Sequence, residues 1–226
     1  MGNLSGQREA RRIASEFDAE MRALPLDRAS YRRTVRRKYS QLLKDADGAL
    51  VLQVVGELVH GHGYRGTAYE LVKFHTGAFR SLGQAELEDL GRGINSWWAV
   101  DGFARTLSGP AWRDGLIGDE VIHGWSRSDD LWWRRAALVS TVALNVRSHG
   151  GKGDVPRTLA VCRMLVDDHE DMVVKAMSWA LRELVVHDAK AVRDFLAEYE
   201  DRLAARAKRE VRNKLETGLK TPRRKA

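Results

Sequence analysis

The sequence predicts an all-α fold: an α-solenoid superhelix of HEAT-like antiparallel helix pairs. Three observations predict it. No alternating β-branched run is bounded by an Asn-Gly or Asp-Gly turn, so strand signals are nearly absent. Apolar residues recur at helical spacing along the whole chain. The second helices of three successive pairs start near 93, 129 and 170, a spacing that resembles the repeat length of helical arrays. With 226 residues the chain is long enough for one sizeable core, and no linker long enough to divide it is visible. One repeat domain is therefore expected over residues 1–217, with a basic, disordered tail at 218–226.

In order, the periodicity predicts helices over 5–23, 28–45, 48–60, 64–77, 84–90, 93–107, 110–123, 129–147, 156–166, 170–186, 189–205 and 206–217. Turn chemistry separates them. Leu-Pro-Leu-Asp lies near 25, Asp-Ala-Asp-Gly near 47 and Gly-His-Gly near 62. Ser-Gly-Pro near 109 and His-Gly-Gly-Lys-Gly near 151 mark two further breaks. Pro110 and Pro156 suit first helical turns, where the missing N–H has no partner to lose. Asp129 or Asp130 is placed to cap the helix that follows.

The formal charge is +7, and its distribution says more than its sum. Residues 1–40 carry ten Lys/Arg against five acids, and 202–226 carry ten against two. The middle of the chain is net acidic. Basic ends of this kind suit a polyanion such as DNA or RNA. Within Tyr31-Arg-Arg-Thr-Val-Arg-Arg-Lys-Tyr39, Arg32 and Arg36 share one helical face and Arg33 and Arg37 another. Such a helix suits phosphate contacts, which position a protein on DNA without reading its sequence. No apolar run reaches membrane-spanning length, and no apolar signal core opens the chain. The one cysteine, Cys162, cannot form an internal disulfide, which fits a reducing cytoplasm.

Four side chains on three predicted helices stand out: Trp97 with Asp101, then Arg135, then Trp179. Asp101 falls on the wheel among Ile94, Trp97, Trp98 and Ala104, an apolar face where an unpaired carboxylate is costly. Arg135 lies on the stripe of Val139, Val142 and Val146, while Arg134 points the other way. Trp179 is reversed: it lies opposite Val173, Met177, Ala180, Leu181 and Leu184, beside Lys175, Arg182 and Glu183. Taken singly, Asp101 and Arg135 are each accounted for by an ion pair to a neighbouring repeat, whereas Trp179 suits a site and a partner interface or packed solenoid edge equally. Their conjunction on successive repeats points to a site, because local rules are broken where function requires it. His60, His62 and His75 read as structural, since a metal site needs more ligands and no cysteine cluster exists. Ser96 and Ser178 have no adjacent base in the sequence, so serine nucleophilic catalysis is not indicated.

The segments Trp97-x-x-x-Asp101, Trp-Trp-Arg-Arg135-Ala-Ala and Ser-Trp179-Ala-Leu-Arg182-Glu resemble the AlkD-type alkylpurine DNA glycosylases, a family of HEAT-like repeat proteins. The likeness runs over roughly 28–205 and is sharpest in those three segments; the four-residue spacing to Asp101 selects Trp97 over Trp98. It implies removal of cationic N3- or N7-alkylated purines from duplex DNA in base excision repair, without base flipping, and it extends to bulky adducts in some relatives. It implies Asp101, Trp97, Trp179 and Arg135 as the catalytic set, with Arg135 on the adjacent phosphate and Arg182 and Lys175 as further DNA contacts. A monomer that needs no cofactor and no metal is expected. The arginine-rich stretch 28–38 departs from the family pattern, which leaves lesion size open. The alternatives are a non-catalytic repeat protein that binds branched or damaged DNA, and a protein-interaction scaffold anchored by Trp179.

Overall fold

A computed structural model describes residues 2–26 and 28–222. Met1, Asp27 and residues 223–226, the last four residues of the expected tail, lie outside them. Among the described residues every regular element is helical, so the all-α expectation holds. No helix there is long and apolar enough to cross a membrane. The chain falls into two compact units, residues 1–93 and 94–226.

The first unit holds α1 (Gly2–Arg22), α2 (Ala29–Leu42), α3 (Gly48–Gly56), α4 (Arg65–Phe74), α5 (Thr76–Arg80) and α6 (Gln84–Gly91). α1 buries Ala10, Ile13, Ala14, Phe17 and Met21, spaced three to four residues apart on one face. Phe17 meets the Tyr39 ring edge-on at 4.9 Å and the Tyr64 ring at 5.7 Å. The hydroxyls of these tyrosines donate to Glu20 at 3.0 Å and to Asp18 at 2.8 Å, so burial leaves no polar end unsatisfied. The expected helix at 64–77 is two helices: His75 leaves helical geometry and its ring Nδ1 accepts from the Ala78 amide, capping α5.

The second unit holds α7 (Trp97–Phe103), α8 (Gly109–Arg113), α9 (Asp119–Ser126), α10 (Leu131–Asn145), α11 (Val155–Met164), α12 (Asp171–Leu184), α13 (Ala189–Glu198) and α14 (Ala205–Thr217). The break expected before Pro110 does not occur. A π-helical turn, Ala104–Ser108, joins α7 directly to α8. A wider turn at this point accommodates a proline that has no N–H to donate and whose ring crowds the preceding turn. The joined helix lies against α10 through small residues. A Cβ on Gly109 would stand 2.6 Å from that of Ala143 and 2.7 Å from the Ser140 carbonyl oxygen, so only glycine allows the approach. The hydroxyls of Ser108 and Ser140 are hydrogen-bonded across the seam at 2.8 Å.

α10 is the centre of this unit, buried from Arg135 to Asn145. Asp130 caps it, accepting from the Trp132 amide at 2.8 Å, which is one of the two caps expected. Its far end is fixed by Asn145, whose amide donates to the Thr141 carbonyl and the Thr158 hydroxyl and whose oxygen accepts from the Asp154 amide. α7, α10, α12 and α14 stand side by side in that order. The three helices that carry the anomalous residues are therefore neighbours, as the repeat spacing predicts. Cys162 is fully buried in α11, and burial pushes its thiol up to about 12, so it is an inert core residue.

Candidate functional site

The Asp101 carboxylate is the centre of the site. It projects from α7 toward α10, where Arg135 grips it from two sides. Nε donates to Oδ1 at 3.1 Å, and Nη2 donates to Oδ1 at 2.8 Å and to Oδ2 at 3.0 Å. Nη1 of the same guanidinium donates to the Met172 carbonyl on α12 at 2.5 Å. One arginine thus ties three neighbouring helices, α7, α10 and α12, together. Its side chain is 5% exposed against 17% for Asp101, so the acid and not the base faces solvent. Burial pushes the Asp101 carboxyl above the ordinary aspartate value, and the charges of Arg135 and Arg105 pull it back only part of the way. A carboxylate has about four lone-pair positions. Three are taken, which leaves Oδ2 able to accept from a ligand or a water.

This pairing is the inter-helix ion pair that accounts for Asp101 and Arg135 taken singly, so neither charge is unpaired. Nor is Arg135 a free clamp for a DNA phosphate: it is buried and turned inward, and its geometry suits holding the acid in place.

The tryptophans of the expected set are held differently. Trp97 and its neighbour Trp98 are 56% and 58% exposed at the start of α7, an unusual presentation for two large apolar rings. Trp97 stands one turn before Asp101. Trp179 on α12 is half-buried and held from two sides. Its Nε1 donates to Glu183 at 2.9 Å, and the Arg105 guanidinium lies over its ring at 5.5 Å from the centroid. Arg105, in the π-helical turn one turn beyond Asp101, therefore links the acid's helix to the Trp179 indole. Sequence periodicity does not single out Arg105, because what marks it is its approach to Trp179 on another helix.

The expected DNA contacts separate into kinds. Lys175 pairs with Asp171 one turn earlier at 2.6 Å and stays half-exposed. Arg182 donates from Nε to the Ser178 hydroxyl at 3.1 Å, and burial lowers its affinity for its proton. In the first unit Arg33 and Arg37 are exposed and Arg32 is partly so. Arg36 is not. It is buried, pairs with Glu70 at 3.0 Å and stacks on Phe74 at 4.4 Å. Sharing a wheel face with Arg32 does not decide burial, which depends on how α2 meets α4. The histidines read as structural behave so: His60 lies 3.3 Å from Asp89, and His62 3.5 Å from Asp18. Ser178 does meet a carboxylate, donating to Glu210 at 2.6 Å, but it is wholly buried beneath α14 and serves the packing.

An acid held half-buried by an arginine, with an exposed tryptophan one turn before it on the same helix, suits the stabilisation of a cation. No curated protein matches the chain. The family model described as DNA alkylation repair enzyme matches residues 3–215. With a match over nearly its whole length, the protein belongs to the DNA alkylation repair enzyme family, whose members act in DNA repair and so interact with DNA.

Proposed function

We propose that the protein is a DNA glycosylase that hydrolyses the N-glycosidic bond of cationic N3- and N7-alkylated purines in duplex DNA, for base excision repair. The observation that carries this reading is the anchored, partly accessible Asp101 carboxylate beside exposed Trp97, with Trp179 on the next helix but one.

The chemistry follows from the substrate. An alkylated purine already carries positive charge, so it leaves as a neutral base and needs no strong acid. The C1′–N bond breaks, its electron pair departs with the purine, and C1′ develops oxocarbenium character. Asp101 stabilises that cation across a partly desolvated gap. Water attacks C1′, leaving a hydroxyl on the abasic sugar, and its released proton passes to Asp101 or to solvent. Trp97 and Trp179 pack on the deoxyribose and add cation–π attraction. Because the reacting atom is on the sugar, the lesion can stay stacked, with no base pocket required. Arg135 acts as a positioning residue for Asp101, and Lys175 and Arg182 serve the flanking phosphates. Arg32, Arg33 and Arg37 add sequence-independent affinity.

The test is incubation with duplexes carrying 7-methylguanine or 3-methyladenine, with detection of the freed base. Release above the spontaneous rate supports the reading. A second reading is favoured by the closed Asp101–Arg135 pair, which would serve equally in a non-catalytic DNA-binding member of the family. Tight duplex binding with no release of any alkylated base would select it.

A further inference from the structure

Gly102 follows Asp101 in the middle of a helix, where glycine is destabilising relative to alanine by roughly 1 kcal/mol. Neither usual reason for a glycine applies. Its backbone is helical and is not among the positive-φ glycines. A Cβ built on it meets no atom within 4 Å, so no neighbouring element requires the missing side chain. Gly109, two turns on, is the contrast, since a Cβ there collides with α10. Gly102 is half-exposed, and on the helical wheel it shares a face with Trp98 four residues before it and Arg105 three residues after. Trp98 is 58% exposed and Arg105 lies over Trp179. The strip from aromatic ring through open gap to guanidinium extends about 10 Å along the helix. A duplex strand advances about 3.4 Å per nucleotide, so the strip matches about three nucleotides.

We infer that Gly102 is a specificity-determining gap, bare so that the sugar–phosphate strand at the lesion can lie against the α7 backbone, between Trp98 and Arg105. Glycine is the residue that lets a ligand approach backbone closely. A sugar seated there stands next to Asp101, whose carboxylate must come near C1′ without contact to the base. The helical stability given up at Gly102 is returned as closeness of approach. This inference rests on the glycosylase reading for its kinetic arm and on DNA binding alone for its affinity arm.

The experiment compares Gly102→Ala with Gly124→Ala. Gly124 is an exposed helical glycine of α9, also with nothing within 4 Å of an added Cβ. Both variants should melt about 2–4 °C higher than wild type, through helix propensity. Gly102→Ala alone should slow single-turnover excision from a 7-methylguanine duplex by about tenfold or more, within the roughly 10²-fold that a 1 Å misplacement can cost. It should also raise the duplex Kd several-fold, while Gly124→Ala leaves both unchanged. A Gly102→Ala protein that melts higher but excises and binds like wild type would overturn the inference, as would one that melts lower, since the gap would then be a packing requirement. If the wild type releases no base, the glycosylase reading fails, and the affinity comparison still decides the role of Gly102.

Discussion

Asp101 and Arg135 form a two-pronged ion pair between adjacent helices, with Nη2 at 2.8 and 3.0 Å from the two carboxylate oxygens. The pair fixes where negative charge stands before any substrate arrives. On the proposed glycosylase reading, a preorganised charge needs no rearrangement when the sugar cation develops, and that would be the source of its catalytic value. Asp101→Asn keeps the size and one acceptor for Arg135 but removes the charge. Single-turnover excision should slow on the order of 10²–10³-fold, with duplex Kd nearly unchanged. Equal excision rates would remove Asp101 from the mechanism.

Arg135→Ala should act on both fold and chemistry. Removing one partner of a buried pair destabilises by about 3–5 kcal/mol, to be read from denaturant unfolding. The abandoned carboxylate, already raised by burial, rises further. Its ionised fraction is then lost at higher pH than in the wild type. The acid limb of the excision profile should therefore move to higher pH, and raising pH should restore part of the rate. A profile that falls uniformly at every pH would mean Arg135 acts by structure alone.

Trp179→Ala should reduce excision and weaken duplex binding modestly, since the indole borders the site and is held by Glu183 and Arg105. Trp97→Ala should lower excision more than Trp98→Ala, because Trp97 is one turn from Asp101. Comparable losses for both, measured in single turnovers, would spread the role over the pair.

Arg33 and Arg37 are exposed on α2, whereas Arg36 is buried against Glu70 and Phe74. Arg33→Gln and Arg37→Gln should each reduce the slope of log K against log salt by up to about 0.9, with the melting temperature unchanged. Arg36→Gln should do the reverse, lowering stability and sparing the slope. Duplex titrations at several salt concentrations, with thermal melts alongside, separate the two kinds.

Glu210 gives the fold an acid sensitivity. Burial alone would raise its carboxyl, yet Ser178, Arg206 and Lys220 hold it below the ordinary glutamate value. A depressed folded value means the ionised form favours the folded state. That contribution is complete above the unfolded value and is lost as pH falls through the folded one. Glu210→Gln should lower stability at neutral pH by about 1–3 kcal/mol and flatten the loss toward acid. Parallel acid limbs for variant and wild type in urea unfolding would contradict this.

Much of the fold is legible in the sequence because it depends on local periodicity. The stripes of Phe17 and Met21, of Val139 and Val142, and of Val173, Met177 and Leu184 place their helices without reference to partners. Asp130 caps α10 because the rule for a cap is local too. The misplaced Asp101, Arg135 and Trp179 were also legible, since a charge on an apolar stripe, or a tryptophan off one, needs only the wheel to be noticed. What the wheel leaves open is the partner. Only the stacking of α7 on α10 decided that the misplaced acid and the misplaced base answer each other, and that Arg135 turns inward. Only the approach of α4 to α2 decided that Arg36 leaves solvent while Arg33 and Arg37 stay in it. The π-helical turn before Pro110 was likewise out of reach, and with it the placing of Arg105 over Trp179. Helical periodicity is a property of one segment, but burial and pairing are properties of two, and the second segment lies more than thirty residues away in the chain.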